Sequence, residues 1–386
     1  MIPYSRQNIN NEDIESVIDV LKSDYITQGN IIYKFEDAVA KKVNSSYSYA
    51  MNSATSALHI SCLALGLNSD DILWTVPNSF VASANCGLYC GAKVDFVDIN
   101  PISFNISLNA LSDKLIKAKK TNSLPKIVVT VDFSGQPVEQ EAIKSLSIEY
   151  GFYIIEDASH AIGAKRNNNM VGCNMFSDIT VFSFHTVKIV TTAEGGMALT
   201  QNKEIAEKID LLRGHGITKN YQNYEKKIDE HWYYEQQYLG YNYRLSEVHS
   251  ALGLSQLNRL DEFIGYRNNV AKIYDKLLND LPIQLPNIES VNYSSFHLYV
   301  IRLKLDKIKK SYNEIFNGLR NNGIGVNLHY LPIHLHPFYR SIGFKVGDFP
   351  ESEKYSNEAI SLPIFFGLKE EEQDYIYKKL KDLLIT

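Results

Sequence analysis

Short runs of β-branched and aromatic residues recur through the first half of the chain, at 72–76, 93–98, 126–131, 152–156, 179–184 and 197–200. Between them, 79–89 reads as a short helix, and 139–150 as an amphipathic one in which Ile143, Leu146 and Ile148 are interleaved with polar residues. Strands alternating with helices predict a mainly parallel sheet covered by its crossover helices. A helix over 55–65 precedes them all and stops at Gly66, a residue suited to ending helices.

From Ser246 the texture changes. Val248, Leu252, Leu254, Leu257, Leu260, Phe263 and Ile264 predict one long helix over 246–278 that bridges two domains. A strand at 296–303, a helix at 311–321 and a Pro- and His-rich loop at 329–337 then predict a smaller α+β domain. The expected division is a large domain of residues 1–250 and a small one of 251–386, with the N-terminal segment packing on the small domain.

A chain of 386 residues can bury the cores that this division needs. The net charge of −5 and the lack of a Lys/Arg stripe argue against a nucleic-acid partner. No apolar run approaches the roughly 18 residues that cross a bilayer, and the start, Met1 to Asn8, is polar almost at once, unlike an export signal. Cys62, Cys86, Cys90 and Cys173 form no CxxC pair and suit a reducing compartment. The expectation is a cytoplasmic protein with no membrane partner.

Two segments carry candidate chemistry. In EDASH, Asp157 follows an apolar run, and the carboxyl end of a parallel strand faces the ligand crevice; an acidic residue there is also a common turn former. In FSFHTVK, Lys188 follows another such run. Burial there would lower its pKa and free its lone pair for attack on an aldehyde, whereas a surface loop would leave it an ordinary lysine. A pyridoxal-phosphate site needs a lysine, a carboxylate for the pyridine nitrogen and donors for the phosphate. The stretch Asn52 to Leu58, small residues opening a helix, supplies such donors or else is simply a capped helix start.

The blocks SDYITQG, NSATSALHISCLALGL, PNSFVASANCGLYCGAKVDFVDI, EDASHAIGA, FSFHTVKIVTTAEGGMALT, LRGHGI, LGYNYRLSEVHSALGLSQL and SFHLYVIRL stand in order over nearly the whole chain. Together they resemble the DegT/DnrJ/EryC1/StrS sugar aminotransferase family. The resemblance implies the fold-type I pyridoxal-phosphate transferase architecture: an α/β fold with a seven-stranded, mainly parallel sheet, helices on both faces and a smaller α+β C-terminal domain. It implies pyridoxal 5'-phosphate on Lys188, with Asp157 at the ring nitrogen and His160 against the cofactor. Phe80 matches the residue stacked on the ring, Thr55, Ser56 and Ser183 match phosphate contacts, and Asn242 matches an amide that reaches the phosphate from a neighbouring subunit of a homodimer. Tyr4, Thr27, Arg244 and His329 are the candidate substrate contacts. His329, His334 and His336 have no carboxylate or cysteine at a usual ligand spacing, so no metal site is expected.

The opening IPYSRQ, the TQG turn, the run from His231 to Gln237 and VNLHYLPIHLHPFYR are similar to the branch that aminates C4 of a UDP-linked 4-keto-6-deoxy-HexNAc on the way to pseudaminic acid. The reaction implied is transfer of an amino group from L-glutamate to a nucleotide-linked keto-sugar, dTDP- or GDP-linked sugars being the alternatives. Thr186 and His336 depart from the usual residues and bear on the sugar rather than the cofactor. Dehydratases of this fold carry a histidine where this chain has Lys188, which argues against that activity.

Overall fold

The computed structural model of the chain describes residues 1–228 and 230–385. Its centre is a sheet of seven strands: β1 (Tyr47–Met51), β2 (Ile72–Thr75), β3 (Lys93–Phe96), β4 (Ile127–Val131), β5 (Tyr153–Asp157), β6 (Ile179–Ser183) and β7 (Gly196–Thr200). They lie in the order β1-β7-β6-β5-β4-β2-β3, and the four pairings from β6 across to β3 are parallel. The two pairings of β7, with β1 and with β6, are antiparallel. Every residue of β4, β6 and β7 is buried, as expected of strands covered on both faces.

Along the chain run α1 (Asn11–Leu21), α2 (Ile31–Val43), α3 (Ala54–Ala64), α4 (Ala82–Tyr89), α5 (Leu108–Lys120), α6 (Gln140–Tyr150) and α7 (Lys203–Arg213). The sequence read as one helix over 246–278 is two, α8 (Glu247–Leu257) and α9 (Leu260–Leu277). Polar contacts gather at the break. Gln256 and Arg259 reach back to the N-terminal segment, Gln256 donating to the buried Asp13 carboxylate at 2.6 Å and Arg259 pairing with it at 2.6 Å. The strand expected over 296–303 begins only at Tyr299, because Phe296 takes a left-handed backbone and the segment before it is bound to Gly135.

A second core gathers on a three-stranded antiparallel sheet of β8 (Ile283–Gln284), β9 (Tyr299–Leu303) and β10 (Ala359–Leu362), with α10 (Tyr312–Asn321) and the long α13 (Glu370–Ile385) packed on it. The short α11 (Pro337–Ser341) and α12 (Pro350–Glu358) lie between β9 and α13 in the chain. The first residues run along this unit: Ile2 bridges Ile324, and the Ile364 N–H donates to the Tyr4 carbonyl at 3.0 Å. That brings the Tyr4 ring back toward the large sheet. Among the described residues no helix is long and apolar enough to cross a membrane.

The edge strand β1 depends on a buried ion pair. Glu36 of α2 accepts the Ala50 N–H at 2.7 Å, and Arg213 of α7 pairs with Glu36 while donating to the Ala50 carbonyl at 2.8 Å. Burial raises Glu36, and the guanidinium opposes that rise. Replacing one partner strands the other charge in the interior. Glu36→Ala is expected to lower stability by about 3 kcal/mol in denaturant titration; a loss under about 1 kcal/mol, the range of an exposed pair, would contradict this role.

Candidate active site

The carboxyl ends of β4, β5 and β6 open on a cavity of about 460 Å³. That edge of a parallel sheet is where crossover connections leave room for a ligand. Asp157 and Ser183 reach the cavity from strand ends, Lys188 from the loop after β6, and Ser53, Ala54 and Thr55 from the start of α3. Tyr4, Asn327, His329 and Tyr330 close it from the side of the second core.

Asp157 is held by three donors. Its Oδ2 accepts the Ser83 hydroxyl at 2.6 Å, and its Oδ1 accepts the Ser159 hydroxyl at 2.5 Å and N–H at 3.2 Å. These contacts fix where the carboxylate points. Burial drives the Lys188 amine down to about 8, with the charge of Asp157 holding it up against that drift. A lysine so placed is partly neutral near physiological pH, and only the neutral amine is a nucleophile.

Three imidazoles surround this pair without adding charge. Burial first, then Lys188, pushes His160 and His297 well below the ordinary histidine value, and the same causes bring His329 to about 4. His160 lies with its ring centroid 4.4 Å from that of His297. Its Nδ1 accepts the Ser134 N–H at 3.2 Å, and its Nε2 is 3.1 Å from the Tyr330 hydroxyl. His329 bonds the Ser361 hydroxyl through Nδ1 at 2.8 Å and carries the Tyr4 ring at 5.4 Å.

At the other end, Ser53 caps α3 by accepting the Ser56 N–H at 3.1 Å. The first turn then presents free N–H groups and the positive end of the helix dipole to the cavity. Gly196 keeps this cradle open, since a Cβ there would stand 2.3 Å from the Ala54 nitrogen. An amine, a buried carboxylate and an anion cradle therefore meet in one cavity, the donor set that pyridoxal phosphate requires. Lys188 and Asp157 would hold its reactive and pyridine ends, and Thr55 and Ser183 its phosphate.

The structure brings Lys188, Asp157, His160, Thr55, Ser183, Phe80, Tyr4 and His329 to the cavity wall. Phe80 is 59% exposed, so it stands at the lip with one face free rather than in the core. Ser56 is on the same turn but behind the wall, its hydroxyl given to Asn52 at 2.6 Å. Thr27 and Asn242 are exposed and, like Arg244, lie outside the cavity of their own chain. Tyr330, His297, Asn327 and Ser159 line the site and Ser83 braces it, although the sequence assigned none of them a role. Ser83, Ser159 and His297 sit in blocks already singled out, and Tyr330 follows His329; what hid them was the long-range pairing that gives each its task.

A seven-stranded sheet of this order, with a lysine amine buried beside a strand-end carboxylate, defines the fold-type I class of pyridoxal-phosphate enzymes. Within that class, residues 7–381 match the DegT/DnrJ/EryC1/StrS aminotransferase family, and the chain belongs to it. It is an aminotransferase that depends on pyridoxal phosphate. It is 39% identical to the UDP-4-amino-4,6-dideoxy-N-acetyl-beta-L-altrosamine transaminase of Campylobacter jejuni serotype O:2, over 89% of this chain and 87% of the relative. Helicobacter pylori PseC, an aminotransferase involved in the biosynthesis of pseudoaminic acid, superposes with a TM-score of 0.90 at 32% identity, over 99% of each chain. Spr1654 from Streptococcus pneumoniae, solved in a PLP-form, superposes with a TM-score of 0.87 at 25% identity, over 99% of this chain and 98% of that one.

The depressed lysine yields a pH prediction. In cofactor-free protein, labelling of Lys188 by an amine-selective reagent should rise with pH through a midpoint at about 8, where half of the amine is neutral. Asp157→Asn removes the charge that favours the ammonium, so the midpoint should move lower still. A midpoint near 10.5, the ordinary value of a lysine, or an upward move in the variant would contradict the geometry.

Proposed function

We propose that the protein transfers the amino group of L-glutamate to the C4 keto group of a nucleotide-linked 4-keto-6-deoxy-sugar, UDP-4-keto-6-deoxy-HexNAc in the first instance. What carries the reading is the cavity built around Lys188 and Asp157 in a chain that shares 39% identity with an altrosamine transaminase. A second such transaminase, from Helicobacter pylori, is 33% identical over 98% of this chain.

Bound pyridoxal phosphate supplies an electron sink for the carbanion that transamination creates. Lys188 anchors the cofactor at rest, and its Nζ moves the proton taken from the donor Cα. An amine near pH 8 both takes up and releases a proton at little cost. Asp157, fixed by Ser83 and Ser159, would place a negative charge beside the pyridine nitrogen of the bound cofactor and so stabilise charge developing in either half of the cycle. Phe80 and His160 would flank the ring of the bound cofactor, and Tyr4 and His329 would shape the sugar side.

The active unit in this reading is a cytoplasmic homodimer. Asn242 is exposed and lies outside its own cavity and, by family likeness, completes the neighbour's phosphate site, with Thr27 and Arg244 on the same shared surface. Exposed apolar side chains support a covered face, among them Tyr25 at 66%, Trp232 at 71% and Leu239 at 83%.

Offered UDP-, dTDP- and GDP-linked keto-sugars with L-glutamate, the enzyme should convert the UDP-4-keto-6-deoxy-HexNAc to a product whose mass shows the amine in place of the ketone. Conversion of dTDP sugars alone would refute the substrate assignment and leave the aminotransferase intact. The shared site has its own test. Lys188→Ala and Asn242→Ala should each be nearly inactive, yet subunit exchange between them should restore about a quarter of wild-type activity, because half the dimers then hold one intact site of two. No recovery on mixing would place Asn242 outside the partner's site.

A further inference from the structure

We propose that the Tyr330 hydroxyl is a fixed hydrogen-bond donor that reads an oxygen atom of the sugar acceptor, and that Ser134 and His160 behind it set this role. The inference deepens the reading of the acceptor as a nucleotide-linked keto-sugar and rests on it.

Proton placement leads to it. The Ser134 N–H donates to His160 Nδ1 at 3.2 Å, and a ring nitrogen that accepts a hydrogen bond carries no proton. The ring is neutral, so its single proton sits on Nε2. Nε2 lies 3.1 Å from the Tyr330 oxygen and donates to it. With that side of the oxygen taken, the phenol's own proton turns elsewhere. Among the described residues the hydroxyl has no hydrogen-bond partner besides His160. Tyr330 lines the cavity, so the open direction is the ligand's. Burial, and next the charge of Asp157, push the phenol upward, which keeps its proton in place.

The donor is also rigidly mounted. The Tyr330 ring packs on His329 at 5.1 Å and against Phe80 at 6.3 Å, and its N–H reaches Asn78 at 3.3 Å. Ser134 is pinned too, its hydroxyl donating to the Leu298 carbonyl at 2.6 Å. The side chains that share this part of the wall with Tyr330, His160, His297, His329 and Asn327, are uncharged polar groups. A neutral ring bearing hydroxyl and carbonyl oxygens matches that wall; a dicarboxylate donor would need cations there.

Tyr330→Phe keeps the ring and removes the donor. The two half-reactions of the pyridoxal-phosphate-loaded enzyme can be followed separately through cofactor absorbance, first with L-glutamate alone, then with UDP-4-keto-6-deoxy-HexNAc added to the aminated enzyme. The expected result is that kcat/KM for the sugar half-reaction falls about tenfold further than that for the glutamate half-reaction, the scale of one lost hydrogen bond. The glutamate half-reaction then doubles as a check that the variant has folded; should the Phe variant fail to fold, Tyr330→Leu also removes the donor and is read by the same ratio. Equal losses in both halves, or none in either, overturn the inference while the keto-sugar reading stands. A wild-type enzyme that aminates no nucleotide keto-sugar overturns both.

Discussion

Everything in the site depends on keeping one lysine amine out of water beside one carboxylate. Desolvation pulls Lys188 down and Asp157 pulls it back, leaving an amine near 8, suited to act as nucleophile and as proton carrier. Either influence alone would spoil it. An exposed lysine would stay protonated, and a buried one without the carboxylate would lose the charge balance that a cationic pyridine nitrogen needs.

The fold meets this demand through its strand ends. Parallel strands β4 to β6 deliver backbone and side chains to one edge, and the crossover through α3 and α4 brings the anion cradle and the serine that braces Asp157 to the same place. The second core then closes the cavity with Tyr4, His329 and Tyr330, held by contacts such as the Ile364 hydrogen bond to the Tyr4 carbonyl. The imidazoles between the two units are neutral because they are buried near Lys188, so they shape the cavity without competing for the carboxylate. Uncharged polar walls and one charged pair divide one cavity into two chemistries.

Much of this could be read from the sequence where chemistry coincides with local pattern. Asp157, Ser183 and Lys188 follow apolar runs, and a strand end is a position that pattern locates well. Thr55 opens a helix that stops at Gly66, so its N-terminus could be placed too. What local pattern does not carry is which distant residues meet. β1 went unread because its pairing with β7 joins segments some 150 residues apart and its anchor is the Glu36 and Arg213 pair. The residues around the helix break before Leu260 bind Asp13, far away in sequence. Ser56 looked equivalent to Thr55 until the turn gave its hydroxyl to Asn52. Tyr330 is defined only by His160, which is itself defined by a backbone N–H from another strand's end.

Direct location of the cofactor bond tests the central claim most sharply. The pyridoxal-phosphate-loaded protein would be reduced with borohydride, digested and mapped by mass spectrometry. The account predicts one phosphopyridoxyl group per chain, on the peptide containing Lys188. A group on any other lysine, or none at all, would contradict it.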